Sequence, residues 1–225
     1  IQGWSTTQLA AITSQQLTGL STTALSDFSD TQIGQLNATQ IHGLTSSQLN
    51  NIATAQLNAI DVTSLTVSQL RGMNATAVDA LTTTQAQSLS TLQIGGLSAT
   101  GLEALSSTEI QGWSTTQLGA ITSLQIATLT TTALSDFSDT QLGQLSSTQV
   151  RGLTTSQLNN LATTQLNALN AADFSATQIR SMSTTAIDAL TTTQAQSLGT
   201  VQIGALTAGG LDALSSTEIQ GWSTT

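Results

Sequence analysis

Few side chains of this 225-residue chain could catalyse a reaction or hold a metal ion. The chain has one histidine, His42, no cysteine, and twelve acidic residues against three arginines. The sequence is close to a tandem duplication, and the position equivalent to His42 in the second copy holds Arg151. A catalytic triad, a His-based zinc site and most general acid–base schemes need a positioned imidazole, and a repeat that exchanges it for arginine cannot depend on it. We therefore expect no catalytic site and no enzymatic activity.

The densest acidic segments are two matching aspartate pairs, Asp27 with Asp30 and Asp136 with Asp139. Calcium prefers several carboxylate and carbonyl oxygens, so these pairs are weak candidates for a calcium site. They lack the spacing of an EF-hand loop, and an aspartate in the first turn of a helix is also favoured by the helix dipole. We expect no bound cofactor, with calcium at these pairs as the alternative.

Every eight residues the chain repeats an apolar residue, a Ser, Thr, Asn or Asp, two small polar residues, usually Gln, and a second apolar residue. The N-cap side chain can accept a hydrogen bond from the backbone amide three residues later, and the glutamine side chain at that position can accept one from the N-cap backbone amide. This pair of hydrogen bonds is a capping box, which starts a helix. Fourteen starts fall in the first copy, and only Ala53 lacks a capping side chain. The predicted capping residues include Ser5, Gln8, Thr13, Gln16, Ser29, Gln32, Thr45, Gln48, Ser114 and Gln117.

The spacing of the apolar positions excludes a single long helix, because their stripe would drift around the helix axis with every octad. In a strand, successive apolar residues would point to opposite faces. We therefore predict an all-α solenoid of helices of about six residues, each held by its neighbours. A β-solenoid with Gln or Thr ladders is the alternative. The predicted core includes Trp4, Leu9, Ile12, Phe28, Trp113, Phe137 and Trp222.

The corners between helices carry a glycine, asparagine or aspartate at many positions. These types tolerate the left-handed conformation that often ends a helix, so we predict left-handed corners. The glycines concerned are Gly3, Gly19, Gly43, Gly72, Gly96, Gly112 and Gly152. A five-residue remainder at residues 60–65, and again at 169–174, shortens the lattice by three residues. It predicts either a harmless phase slip or a built-in bend.

The octads lie within a longer period, because the segment that starts at Ile1 returns at Ile110 and again at Ile219. We predict a first large repeat at 1–109, a second at 110–218 and the start of a third at 219–225. The pattern is typical of a segment of a longer tandem protein. The net charge of −9 disfavours nucleic-acid binding, and no apolar run is long enough to predict a transmembrane segment.

The motif of an apolar residue, Ser or Thr, two residues, Gln and an apolar residue resembles the tandem Ser/Thr/Gln-rich arrays of very large bacterial surface and secreted proteins, including adhesins and matrix proteins. This resemblance covers the whole chain and implies an extracellular or cell-surface structural role. We expect a filament, stalk or matrix fibre that self-associates head to tail. The alternative is a binding module that contacts a surface glycan or ice through its tryptophans or its Thr-Thr doublets.

Overall fold

The computed structural model describes residues 3–222, in which all regular structure is helical and no strand occurs. The predicted all-α solenoid is confirmed, and the β-solenoid alternative is wrong. The α-helices are four to six residues long, where about six was expected. Such short helices are unstable alone in water, so packing between neighbours must maintain them.

The chain forms two compact units, Ile1–Trp113 and Ser114–Thr225. The predicted repeat boundaries at 109/110 and 218/219 stay predictions, and residues 223–225 of the third repeat lie outside the described residues. The helices of unit 1 are α1 Thr6–Ala10, α2 Ser14–Thr18, α3 Thr22–Ser26, α4 Asp30–Ile33, α5 Ala38–Ile41, α6 Ser46–Leu49, α7 Thr54–Ala59, the 3-10 helix η1 Val62–Ser64, α8 Val67–Gly72, α9 Ala75–Asp79, α10 Thr83–Ser88, α11 Thr91–Gly96, α12 Ala99–Glu103 and α13 Ser107–Gln111.

Unit 2 repeats the same order of elements. Its helices are α14 Thr115–Leu118, α15 Ser123–Thr128, α16 Thr131–Ser135, α17 Asp139–Gly143, α18 Ser147–Gly152, α19 Thr155–Asn160, α20 Thr163–Ala168, the 3-10 helix η2 Ala171–Asp173, α21 Ala176–Ser181, α22 Thr184–Asp188, α23 Thr192–Gln196, α24 Thr200–Ile203, α25 Ala208–Asp212 and α26 Ser216–Gln220.

Each turn of the solenoid consists of three elements, because helices pack mainly on the element three positions along the chain. In unit 1, α4 packs on α7, α8 on α11 and α10 on α13. In unit 2, α15 packs on α18, α17 on α20 and α23 on α26. Within each unit the two apolar positions of the octads point inward and form the buried core, which includes Leu9, Phe28 and Phe137.

The five-residue remainder forms a 3-10 helix that replaces one α-helix of a turn. Asp61 and Asn170 cap η1 and η2, and Leu65 and Phe174 at their ends are both buried. Both short elements still pack three elements along the chain, η1 on α10 and η2 on α23. A turn that contains the short element therefore has three fewer residues and keeps its three sides.

The predicted left-handed corners are wrong, since no described residue, glycine or other, has a positive φ. Gly19 and Gly112 end their helices with φ of −81° and −78°. Several corner glycines instead permit close contact between successive turns. A Cβ on Gly43 would collide with the backbone of Ser14, and one on Gly152 would lie 2.7 Å from the Ser123 carbonyl oxygen. Glycine serves there because no side chain fits between the turns.

Candidate functional site

The feature that recurs through both units is built by an N-cap residue and the glutamine three positions later. At α1, the Gln8 amide donates to Ser5 Oγ at 3.3 Å, and the Ser5 amide donates to Gln8 Oε1 at 2.8 Å. The same two hydrogen bonds form in four further predicted pairs, which are Thr13 with Gln16, Ser29 with Gln32, Thr45 with Gln48 and Ser114 with Gln117. The structure thus brings each predicted capping residue together with its partner.

The side-chain nitrogen of the same glutamine links successive turns. Gln48 Nε2 donates to the carbonyl oxygens of Leu17 and Leu20, both at 2.8 Å, although these residues lie 31 and 28 positions earlier. We call a glutamine with its two carbonyl acceptors in the previous turn a rung. Rungs with both distances at or below 3.3 Å are formed by Gln40, Gln48, Gln56, Gln69, Gln85, Gln93, Gln149, Gln157, Gln178, Gln194 and Gln202.

The rungs also show how the short element is accommodated. Across a turn that contains η1, Gln69 Nε2 reaches the carbonyls of Ile41 and Leu44, which lie only 28 and 25 positions earlier. Both distances are 2.7 Å, so the rung geometry is unchanged. The three-residue deletion is therefore absorbed within one turn, which favours the predicted phase slip.

Each rung buries a glutamine without leaving its amide unpaired. Gln48 is 3% exposed, its Oε1 accepts from the Thr45 amide and hydroxyl, and its Nε2 makes both donations to the previous turn. A side-chain amide offers two donors and one acceptor oxygen, and all are used here. Because a buried unpaired polar group costs free energy, the rung fixes both the helix start and the register between turns.

The octad pattern predicts the glutamine as a cap but not as a link between helices, and glutamine ladders are expected only in the β-solenoid alternative. A signal was available in the residue type. Glutamate completes a capping box as well as glutamine does, yet in the predicted starts glutamate stands at this position only at Glu109 and Glu218. The preference for an amide over a carboxylate indicates that the Nε2 donors are needed.

Glu109 is a buried carboxylate at a rung position. Its Oε2 accepts from the Ser106 amide at 2.7 Å and from the Ser106 hydroxyl at 2.8 Å, so the capping box is intact. The residue is 6% exposed. By the register of the other rungs, the carbonyls of Val78 and Leu81 lie opposite this carboxylate, which has no N–H to donate to them. Helix α13 therefore forms no rung of this kind.

The predicted core residues differ in how far they are buried. Leu9, Phe28, Trp113 and Phe137 are buried, and Ile12 and Trp222 are half-buried. Trp4 differs from the prediction, because it is 41% exposed and contacts Phe28 edge to face with ring centroids 6.3 Å apart. The other two tryptophans donate to a carbonyl of an earlier turn, Trp113 Nε1 to Ala86 at 2.9 Å and Trp222 Nε1 to Ala195 at 2.8 Å. The described residues contain no turn on that side of Trp4.

The acidic candidates lie at helix ends. Asp30 and Asp139 occupy the first turns of α4 and α17, and Asp27 and Asp136 are the C-caps of α3 and α16. Burial raises the pKa of the Asp136 carboxyl. No group of three or more His, Cys, Asp or Glu residues that could hold a metal occurs within residues 3–222. The expectation of no bound cofactor, with calcium at these pairs as the alternative, stays a prediction.

His42 and its equivalent in the second copy, Arg151, have different surroundings. His42 is the exposed C-cap of α5. Its equivalent, Arg151, donates from Nε to the Asp173 carbonyl at 3.2 Å, which links two turns of unit 2. None of the described helices is both long and apolar enough to cross a membrane.

Comparison with known proteins identifies one family over a short part of the chain. Residues 94–131 match the family described as the ALTTAQ repeat. No curated protein matches the chain. Together with the recurring short helices, this match identifies a tandem repeat protein with an all-α solenoid architecture.

Proposed function

We propose that this chain is a non-catalytic structural protein whose solenoid turns associate head to tail into an extracellular filament, stalk or matrix fibre. The observation that carries the proposal is the rung. Each rung joins donors on one turn to carbonyl acceptors on the turn before it, as Gln48 does with Leu17 and Leu20. Every turn is therefore complementary to the next in one direction only.

An interface of this kind favours open assemblies. Two unlike faces that bind head to tail form a ring when the rotation closes and a filament when it does not. Solenoid repeats also contact only their neighbours, so added turns extend the array without changing the turns already formed. The role outside the cell follows from the resemblance of the motif to surface and secreted repeat arrays.

Electron microscopy of the purified 225-residue protein tests this function. We expect fibres of uniform width that increase in number as the protein concentration rises. Sedimentation velocity over the same concentrations should show species heavier than the monomer. Single particles that sediment as monomers at every concentration would contradict the proposal.

One observation favours binding to a glycan or ice as a second candidate function. In unit 1, exposed threonines recur at the second helical position on one side of the solenoid, at Thr7, Thr31, Thr76 and Thr100, with the exposed Ala55 of α7 between Thr31 and Thr76. Such columns present methyl and hydroxyl groups to a flat partner. Inhibition of ice recrystallisation, or retention on an immobilised polysaccharide, by monomeric protein would support this candidate, and the absence of both would exclude it.

A further inference from the structure

We propose that the carboxylates of Glu109 and Asp79 bind a calcium ion together with the backbone carbonyl oxygens of Val78 and Leu81. All four residues belong to unit 1, in helix α13, in helix α9 and in the corner that follows α9. The site is separate from the aspartate pairs discussed above. It does not depend on any association between copies of the chain.

The buried carboxylate of Glu109 has one oxygen without a donor. The Ser106 amide and hydroxyl both donate to Oε2, at 2.7 and 2.8 Å, and no donor within residues 3–222 reaches Oε1. Because Oε2 takes the place of the glutamine Oε1 in a rung, Oε1 of Glu109 takes the place of Nε2 and faces the carbonyls of Val78 and Leu81. The residue is only 6% exposed, and buried charges in proteins are paired or coordinate a metal ion.

The register between turns places Asp79 beside the Ser106 amide as well. Asp79 of α9 has the same octad position as Asn50 of α6, and α13 follows α9 by four elements, as α9 follows α6. The Oδ1 atom of Asn50 accepts from the amide of Asn74, the N-cap of α9, at 2.9 Å. The side chain of Asp79 therefore reaches toward the N-cap amide of α13, which already donates to Glu109. No donor remains there for the second carboxylate.

Asn58 shows the consequence when the N-cap amide is already in use. Asn58 has the same position relative to α10, where the Thr82 amide donates to Gln85 Oε1 at 3.0 Å. Its Oδ1 is buried without a hydrogen-bond partner among the described residues, and the same holds for its equivalent, Asn167. An asparagine is neutral, whereas Asp79 adds a negative charge at the last residue of α9, where the helix carbonyls are also negative.

This oxygen-rich set fits calcium better than other metal ions. Calcium accepts six to eight oxygens from carboxylates, backbone carbonyls and water, and its charge balances two carboxylates. Zinc prefers nitrogen and sulfur ligands, and magnesium demands a near-ideal octahedron. The chain has no lysine, and Arg71, the one arginine of unit 1, forms no ion pair with a described residue. Asp79 is exposed, so water can complete the coordination from that side.

The two acidic residues occur together in both copies of the sequence. Glu109 lies opposite Asp79, and its equivalent, Glu218, lies opposite Asp188 by the same register. The Oε2 atom of Glu218 likewise accepts from its N-cap amide at 2.7 Å. Where a glutamine forms a rung, the residue after its first acceptor is never acidic and is Ala10, Thr18, Ser26, His42, Asn58, Thr63, Gly119, Ala127, Arg151, Asn167 or Ala172. The paired occurrence of the two carboxylates indicates a shared ligand.

Calorimetric titration of the chelator-treated 225-residue protein with calcium chloride tests the site. We expect two ions per chain, with dissociation constants of about 0.1–1 mM, and weaker binding of magnesium. Glu109→Gln should reduce the number of bound ions to one, and Glu109→Gln with Glu218→Gln should abolish binding. Asp79→Asn should weaken the first site about tenfold, because affinity depends on the number of charged ligands.

The matched control is Asp30→Asn, which removes one carboxylate of unit 1 away from the site and should leave both ions bound. Far-ultraviolet circular dichroism verifies that each variant is folded, and glutamine at position 109 keeps the capping box. Calcium should also raise the urea midpoint of the parent protein but not that of the double variant. The absence of calcium binding, an unchanged number of ions in Glu109→Gln, or a loss in Asp30→Asn equal to that in Glu109→Gln would overturn the proposal.

Discussion

The substitution Gln48→Glu separates the two functions of a rung glutamine, which are to cap the start of its own helix and to bond the previous turn. A carboxylate can still accept from the Thr45 amide, as Glu109 Oε2 does from the Ser106 amide at 2.7 Å. It cannot donate to the Leu17 and Leu20 carbonyls, which now accept from Gln48 at 2.8 Å. Each carbonyl left without this donor costs about 1–3 kcal/mol, so we expect a loss of about 2–6 kcal/mol in the free energy of unfolding.

The matched control is Gln16→Glu, the same change at the same octad position. Gln16 forms the same capping box with Thr13, but its Nε2 has no acceptor among the described residues. We expect a change within about 0.5 kcal/mol. Urea unfolding followed by far-ultraviolet circular dichroism, at a concentration where the protein is monomeric, measures both. Equal urea midpoints for Gln48→Glu and Gln16→Glu would show that the Gln48 side-chain nitrogen does not stabilise the contact with the previous turn.

Three further changes probe other parts of the structure. Glu109→Gln should raise the free energy of unfolding by about 1–3 kcal/mol because it restores two donors, and an unchanged urea midpoint would contradict the missing rung. Gly43→Ala should destabilise by about 1–3 kcal/mol because a Cβ collides with the neighbouring turn, whereas Gly19→Ala, whose Cβ makes ordinary contacts, should not; equal urea midpoints would refute the close-contact role. Hydrogen bonding from the Thr63 hydroxyl lowers the pKa of Asp61 below its ordinary value of 3.8, so its stabilising contribution is present above pH 3.8 and lost as the pH falls through the lower folded pKa. Asp61→Asn should therefore differ from the parent protein in urea midpoint at neutral pH and converge with it in acid, and a constant difference would contradict this.

Local structure was predictable because the octad contains its own instructions for starting a helix. Each predicted N-cap of the first copy, from Ser5 to Ser106, is the N-cap of a helix in the structure, including Asp61 of the short element. The capping box involves residues only three positions apart, so sequence spacing alone specifies it.

The contacts between turns were not predictable in the same way. The rung of Gln48 spans 31 residues, and its acceptors can be named only when the number of octads per turn is known. An octad pattern does not specify that number. The sequence predicts Gly43 as a residue with a left-handed backbone, whereas its observed role is to leave room for the backbone of Ser14. Ser14 lies in a neighbouring turn far away in sequence, so the octad pattern does not indicate this contact.

A crystal structure of the 225-residue protein tests the central claim, that buried glutamines join turns of three short helices. We expect Gln48 Nε2 to lie within about 3 Å of the carbonyl oxygens of both Leu17 and Leu20. A Gln48 side chain directed to solvent, or α4 packed on any element other than the third along the chain, would contradict it.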